Sequence, residues 1–234
     1  MRLWKLDLLR GFAVLLMLIY HFFFDAQFFG LLDLEGTFWF FFPRFIGGMF
    51  IFISGLTMAL TYKNFQRILR KVAKLSLIAV SISFITFSIF DEQPVYFGII
   101  HFFAVATLLS VLFVKMPKLS LIFGIFLFFL GFLLQSISLD TYFLLWIGIR
   151  PKNFSTLDYY PLMPWFGIML FGLYFGNKTK EFFKNSVKFK LLDPLAFLGR
   201  NSLAIYLIQH PLIVIALCFL HPEIAHSIYE IVEL

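Results

Sequence analysis

The sequence is poor in charged residues, which make up 14% of its 234 positions. Soluble domains carry about 25% charged residues and about 45–50% apolar ones. Here 61% of the residues are hydrophobic and the mean hydropathy is +0.92, so polar groups are too few to cover a soluble fold. The same apolar content excludes disorder, which requires low hydrophobicity. The composition therefore predicts a polytopic membrane protein whose first partner is the lipid bilayer.

Several signals of other protein classes are missing. Cys218 is the single cysteine, so an intrachain disulfide framework is excluded. No His-x-x-x-His pair or acidic partner stands at metal-ligand spacing, and we predict no metal. The lysines and arginines are scattered over separate loops with no recognition module between them, so we also predict no nucleic-acid partner.

Seven apolar segments are long enough to cross a bilayer core of about 30 Å, which takes roughly 20 residues of helix. Helices are expected because continuous apolar runs lack the alternation of a barrel strand. The seven segments are Leu6–Phe24, Thr37–Tyr62, Val72–Phe90, Val95–Val114, Leu119–Gln135, Tyr160–Phe175 and Leu195–Leu220. Tyr142–Ile149 is too short to span and is predicted to be an interfacial or re-entrant piece of a long loop. The predicted fold is an all-α, polytopic transmembrane helix bundle of about seven spans.

Charge sorts the loops into two sets. Lysines and arginines dominate alternate loops, as in Lys63–Lys74 and Lys178–Lys190, whereas acids dominate the others, as in Asp25–Glu35. Cytoplasmic loops carry the excess of lysine and arginine, so we predict a cytoplasmic N-terminus and a C-terminus outside. We expect one transmembrane domain over residues 1–220, a short extracytoplasmic tail over 221–234, and residence in the plasma membrane.

Ionisable residues in the first span line up on one side of a helix. Arg10 and His21 are 11 residues apart, which leaves them about 20° from the same face and about 16 Å apart along the axis. Asp7 precedes Arg10 by three residues and shares that face. Two interpretations stay open here: an anchoring ion pair plus a histidine hydrogen-bonded inside the bundle, or a functional polar path.

Other polar residues fall in the predicted outer half of the bundle. His101 and His210 reach a depth similar to that of His21, and a trio at one depth indicates a polar cavity that opens outward. For His101 or His210 alone, a structural hydrogen bond is the simpler interpretation. Arg44 either anchors the second span at the interface or pairs with Asp25, Glu35 or Asp158 around an outer vestibule.

Arginines also mark the predicted cytoplasmic side. Arg67 and Arg70 are three residues apart and share a helix face, and Arg200 stands at the inner start of the last span. The planar guanidinium group suits phosphate recognition. Ordinary positive-inside charge is the alternative explanation of Arg67 and Arg70.

Read together, these segments resemble a known family. The first span, with Asp7, Arg10-Gly11 and then His21, resembles the first helix of the acyltransferase-3 superfamily, as does the pair Arg67-x-x-Arg70. Three further segments are similar to one branch, the heparan-alpha-glucosaminide N-acetyltransferase catalytic-domain family. They are Gly98–Phe102, Asp158–Gly167 and Leu198–Pro211. The resemblance extends from residue 2 to about residue 213.

The resemblance implies transfer of an acetyl or other short acyl group from cytoplasmic acyl-CoA to an acceptor outside: a sugar, an amino sugar or a lipid headgroup. The implied catalytic set is His21, as general base or acyl carrier, with Arg10 and with Asp7 orienting Arg10. Two further sets follow, a group for acyl-CoA and a group around the acceptor. They are Arg10, Arg67, Arg70 and Arg200 for acyl-CoA, and Arg44, His101, Asp158 and His210 for the acceptor vestibule. A non-enzymatic membrane carrier or small channel is the competing class, because transporters use intramembrane histidine and arginine as relays; the oligomeric state carries no prediction.

Overall fold

The computed structural model describes residues 3–89, 93–185 and 188–224. Phe90, the predicted end of the third span, and residues 225–234 of the predicted tail lie outside this part of the chain. The described residues are all-helical, with two isolated bridges and no β-strand. The helices are α1 (Trp4–Phe28), α2 (Thr37–Thr61), α3 (Phe65–Ile89), α4 (Ile99–Ser110), α5 (Pro117–Gln135), α6 (Leu162–Lys178), α7 (Lys180–Lys184), α8 (Asp193–Arg200) and α9 (Ser202–Leu220), with a 3₁₀ turn at Lys190–Leu192.

Five of these helices, α1, α2, α3, α5 and α9, are long and apolar enough to cross a membrane. Within the predicted span Val95–Val114, α4 has only 12 residues, a rise of about 18 Å. Helix α6 has 17 residues, and Met163 in its first turn has non-helical backbone angles. The predicted count of seven spans is therefore not confirmed. The predicted seventh span, Leu195–Leu220, is divided into α8 and α9 at Asn201.

The surface of the long helices suits a lipid environment. Large apolar side chains such as Leu77, Phe84, Phe129 and Leu133 are exposed along α3 and α5. On a soluble protein an apolar face of this extent marks an interaction surface. On helices of spanning length it is the surface that contacts acyl chains.

The contacts within the chain divide it into two compact units, of which the first comprises Met1–Phe50 and Glu181–Leu234. In this unit α1 crosses α8 at two glycines. A Cβ atom on Gly199 would lie 2.7 Å from the backbone nitrogen of Gly11, and one on Gly11 would lie 2.7 Å from the carbonyl carbon of Leu195. Real Cβ atoms do not approach backbone atoms so closely, so the two helices touch because both positions are glycine.

Helix α1 also packs along α9 in the first unit. Near the middle of α1, Val14 and Met17 contact a cluster that includes Ile205 of α9. Towards its end, Ala26 packs with Leu217. The two clusters hold the α1 residues between Met17 and Ala26 against the middle of α9.

The second unit comprises Ile51–Lys180. Its core joins α4 to α6 through the buried side chains of Phe102, Ala106, Phe166 and Leu170. With these four side chains buried, α4 and α6 expose fewer large apolar side chains than α3 and α5 do. Helices α4 and α6 are also the shorter ones.

The predicted interfacial segment Tyr142–Ile149 forms consecutive turns in the second unit. The backbone N–H of Leu162, at the start of α6, donates to the carbonyl of Trp146 at 2.8 Å. The hydroxyl of Tyr159 donates to the carbonyl of Leu145 at 2.8 Å. Burial raises the pKa of Tyr159 to about 12, so this phenol stays a donor at physiological pH and fastens the turns to the start of α6.

Candidate active site

The start of α1 carries a buried acid next to an arginine. Asp7 is buried, and its Oδ1 lies 3.6 Å from Nη1 of Arg10, one helical turn later. The crossing of α1 and α8 lies at the same level, because Gly199 contacts the α1 backbone at Asp7 and Gly11. Arg200 follows Gly199 directly and is the last residue of α8. Its guanidinium lies 5.8 Å from the ring centroid of Phe197.

Two imidazoles meet further along the same helix. The rings of His21 on α1 and His210 on α9 are 4.4 Å apart between centroids and meet edge to face at 75°. Nδ1 of His210 lies 2.9 Å and 3.1 Å from the two carboxylate oxygens of Asp25. His21 and His210, which the sequence places at a similar depth, are thus in direct ring contact.

The contact with Asp25 defines the hydrogen-bonding state of His210. An ionised carboxylate only accepts hydrogen bonds, so Nδ1 of His210 carries the hydrogen and donates it to Asp25. In the neutral ring the lone pair is then on Nε2. A carboxylate that holds a histidine in this way fixes the tautomer and orientation of the ring and stabilises a positive charge on it. Asp25 is itself buried, with 5% exposure.

Asp25 is a site residue that the sequence interpretation missed. It was placed among the acids of an outer loop, as one candidate partner for Arg44, because the apolar run ends at Phe24. Helix α1 continues to Phe28, which puts Asp25 one turn after His21. The sequence did contain a signal, because Asp25 follows the intramembrane His21 by four residues, a spacing that places both on one helix face.

Two buried polar groups in the first unit have no hydrogen-bond partner among the described residues. One is Nδ1 of His21. The other is the whole carboxamide of Gln209, both Oε1 and Nε2, on a residue with 1% exposure. Buried polar groups are nearly always hydrogen-bonded in folded proteins, so both need an explanation. Gln209 is not among the predicted site residues.

The second unit places His101 at the start of α4. Its Nδ1 accepts from the backbone N–H of Gly98 at 3.3 Å, and its Nε2 lies 3.1 Å from Oγ of Ser83. Ser83 donates its hydroxyl hydrogen to the carbonyl of Val95, so Nε2–H of His101 is the donor to Ser83. Both ring nitrogens therefore serve the local structure. Asp158 does the same, since its Oδ2 accepts from the N–H of Ile99 at 2.8 Å.

The remaining predicted arginines are exposed. Arg67 and Arg70 lie in the first two turns of α3. Asn64 precedes that helix and accepts from the N–H of Arg67 at 3.0 Å, an N-cap that starts α3 and aligns the two arginines on one side. Arg44 donates to the carbonyl of Phe40 and stacks 3.7 Å above the Phe40 ring.

Comparison with known proteins adds the family. The described residues hold no group of three or more His, Cys, Asp or Glu side chains that could hold a metal ion. No curated protein and no solved structure matches the chain. The family model described as heparan-alpha-glucosaminide N-acetyltransferase, catalytic, matches residues 2–211. That range covers most of the chain and includes Asp7, His21, Asp25 and His210. The chain therefore belongs to the heparan-alpha-glucosaminide N-acetyltransferase catalytic family.

Proposed function

We propose that this protein is an integral-membrane N-acetyltransferase that moves an acetyl group from cytoplasmic acetyl-CoA to an amino sugar outside. The observation that carries the proposal is the contact chain in which Asp25 holds His210 against His21. The family supports the reaction class, because its description names N-acetyl transfer and a glucosaminide.

His21 is the proposed general base. The lone pair of the acceptor amine forms the new N–C bond to the thioester carbon, and the amine proton moves to His21. The C–S bond then breaks, and the proton passes from His21 to the leaving thiolate of coenzyme A. An imidazolium inside a membrane needs a nearby negative charge, and the buried Asp25 supplies it through His210.

The Asp7–Arg10 pair is the proposed donor end of the site. Coenzyme A carries several phosphates, and guanidinium groups bind phosphate through paired, charge-assisted hydrogen bonds. Asp7 orients Arg10 at 3.6 Å, and Arg200 lies at the same helix crossing. About 16 Å of helix separates Arg10 from His21, a distance for the extended pantetheine arm to bridge. Arg67 and Arg70 are further proposed phosphate contacts, because both are exposed on the positive end of α3.

We also propose the seven-span topology, with the N-terminus in the cytoplasm, the C-terminus outside and the protein in the plasma membrane. The distribution of lysines supports the orientation. Hydrogen bonds from residue i to i−3 continue the α4 segment through Val111, Leu112 and Phe113, which supports a longer fourth span. The spacings of Arg10 to His21 and Arg67 to Arg70 support membership of the acyltransferase-3 superfamily.

The test is acetylation by the purified chain in proteoliposomes, with acetyl-CoA and glucosamine as substrates. We expect His21→Ala to lower the rate about 10²–10⁴-fold, the usual contribution of general-base catalysis. The matched control is His221→Ala, because His221 is a surface residue paired with Glu223 and its loss leaves the rate unchanged. Undiminished turnover by folded His21→Ala would contradict the proposal.

The same preparation separates the enzyme from a carrier. An acetyltransferase forms N-acetylglucosamine and free coenzyme A in equal amounts. A carrier instead moves acetyl-CoA or the sugar across the bilayer and forms no product. Transport of either compound without product would exclude the proposed function.

A further inference from the structure

Among the described residues of the first unit, Gln209 is a deeply buried polar side chain whose hydrogen-bonding groups are unsatisfied. Its exposure is 1%, and neither carboxamide atom has a hydrogen-bond partner among the described residues. A carboxamide in that state is unfavourable within a membrane-spanning helix, where no bulk water compensates for the lost hydrogen bonds. Lipid exposure does not account for it, since the side chain is inside the protein.

The position of Gln209 on α9 is set by its helical neighbours. Ile205, Gln209 and Ile213 are spaced four residues apart and share one face. Ile205 packs in the cluster of Val14 and Met17, and Ile213 packs in the cluster of Ala26. Gln209 therefore faces α1 between these two clusters.

The α1 residues between Met17 and Ala26 include His21. Nδ1 of His21 is also buried and lacks a partner among the described residues, so two unsatisfied polar groups lie at one level of the α1–α9 interface. His210, the next residue after Gln209, contacts the ring of His21. The two groups together make a polar pair that a reacting molecule beside His21 would satisfy.

We propose that Gln209 is a catalytic residue whose Nε2–H donates to the thioester oxygen as that oxygen becomes negative. This inference rests on the proposed function. When the amine nitrogen bonds to the thioester carbon, the carbonyl π electrons move to oxygen. They return to re-form the carbonyl as the C–S bond breaks and coenzyme A leaves. A preorganised amide donor of this kind stabilises the charge that exists only between the two events.

The carboxamide oxygen has a role in the same step. Oε1 is an acceptor, and the attacking amine carries hydrogens until one passes to His21. A hydrogen bond from the amine to Oε1 orients the nitrogen lone pair towards the thioester carbon. One side chain thus satisfies both its donor and its acceptor with the two reacting partners.

The test compares Gln209→Leu and Gln209→Met with wild type, in proteoliposomes with acetyl-CoA and glucosamine. Both variants remove the Nε2–H donor, and we expect kcat to fall about 10²–10³-fold, as for other oxyanion donors, with acetyl-CoA affinity unchanged. Gln135→Leu is the matched control, because Gln135 is exposed at the end of α5. Gln209→Leu is also expected to keep or raise the melting temperature, since it removes an unsatisfied buried amide.

The outcomes separate this inference from the proposed function. If His21→Ala is inactive while Gln209→Leu retains wild-type kcat, only the role of Gln209 is overturned. A loss confined to KM, or full kcat in Gln209→Met, overturns the donor role as well. If His21→Ala is fully active, the proposed function itself fails.

Discussion

Gly199→Ala tests whether the crossing of α1 and α8 positions the donor end of the site. The new methyl carbon would lie closest to the carbonyl oxygen of Asp7, and it would also lie 2.7 Å from the nitrogen of Gly11 and 2.8 Å from the carbonyl carbon of Asp7. Ordinary contact begins near 3.4 Å, so the helices must separate by at least roughly 0.7 Å, because neither backbone can compress.

The magnitude follows from two opposing effects. Alanine is a better helix former than glycine by about 1 kcal/mol, whereas overpacking a closed interface costs about 1–3 kcal/mol. The clash with backbone atoms outweighs the propensity gain, so the net change is destabilising. A displacement approaching 1 Å in a positioning element lowers the rate by about 10²-fold.

The assay measures the melting temperature in detergent and the acetylation rate in proteoliposomes. Gly36→Ala is the control, because Gly36 has φ of +95° and no neighbouring atoms within 4 Å of a Cβ. Its strain costs about 1–2 kcal/mol, but it leaves the helix crossing intact, so activity per folded molecule is unchanged. A Gly199→Ala protein with wild-type stability and rate would refute the argument that backbone contact sets this geometry.

Three further changes test other parts of the site. Asp25→Asn removes the charge that holds His210 and is expected to lower the acetylation rate about 10²-fold; initial rates check this, and an unchanged rate would contradict the role of the carboxylate. Arg67→Ala with Arg70→Ala is expected to weaken acetyl-CoA binding about tenfold, or 1.4 kcal/mol, and to leave S-acetylpantetheine, which lacks the phosphates, unaffected; equal weakening of both donors would rule out phosphate contacts. His101→Ala is expected to lower stability by about 1–3 kcal/mol, because two hydrogen bonds are lost, with normal activity per folded molecule; a specific loss of activity would instead favour the acceptor vestibule.

The sequence was sufficient where the signal is local. Continuous apolar runs indicate membrane helices, and five helices of spanning length confirm that class. The 11-residue spacing of Arg10 and His21 places both on one face of α1, and hydropathy places His21 and His210 at a similar depth, although it does not predict their contact. Periodicity and hydropathy carry this information without reference to the rest of the fold.

The sequence was insufficient where contacts between residues far apart along the chain determine the structure. Hydropathy ends the first span at Phe24, but the last turn of α1 is held by packing of Ala26 on Leu217, and so Asp25 was assigned to a loop. The start of α4 depends on Asp158, which lies 59 residues from its bonded partner Ile99. Local composition does not contain such contacts.

Helix α1 is unbroken from Trp4 to Phe28, and this has a consequence for the proposed donor. Because one continuous helix carries both Arg10 and His21, the distance between them is fixed. In the proposed function this distance sets how far the donor's thioester lies from its phosphates. Inserting one residue between Arg10 and His21 would swing His21 by about 100°, and inserting seven would restore its face but add about 10 Å. Under the proposed function, the fixed length of α1 is expected to select acyl donors by the length of their linker, independently of the identity of the acyl group.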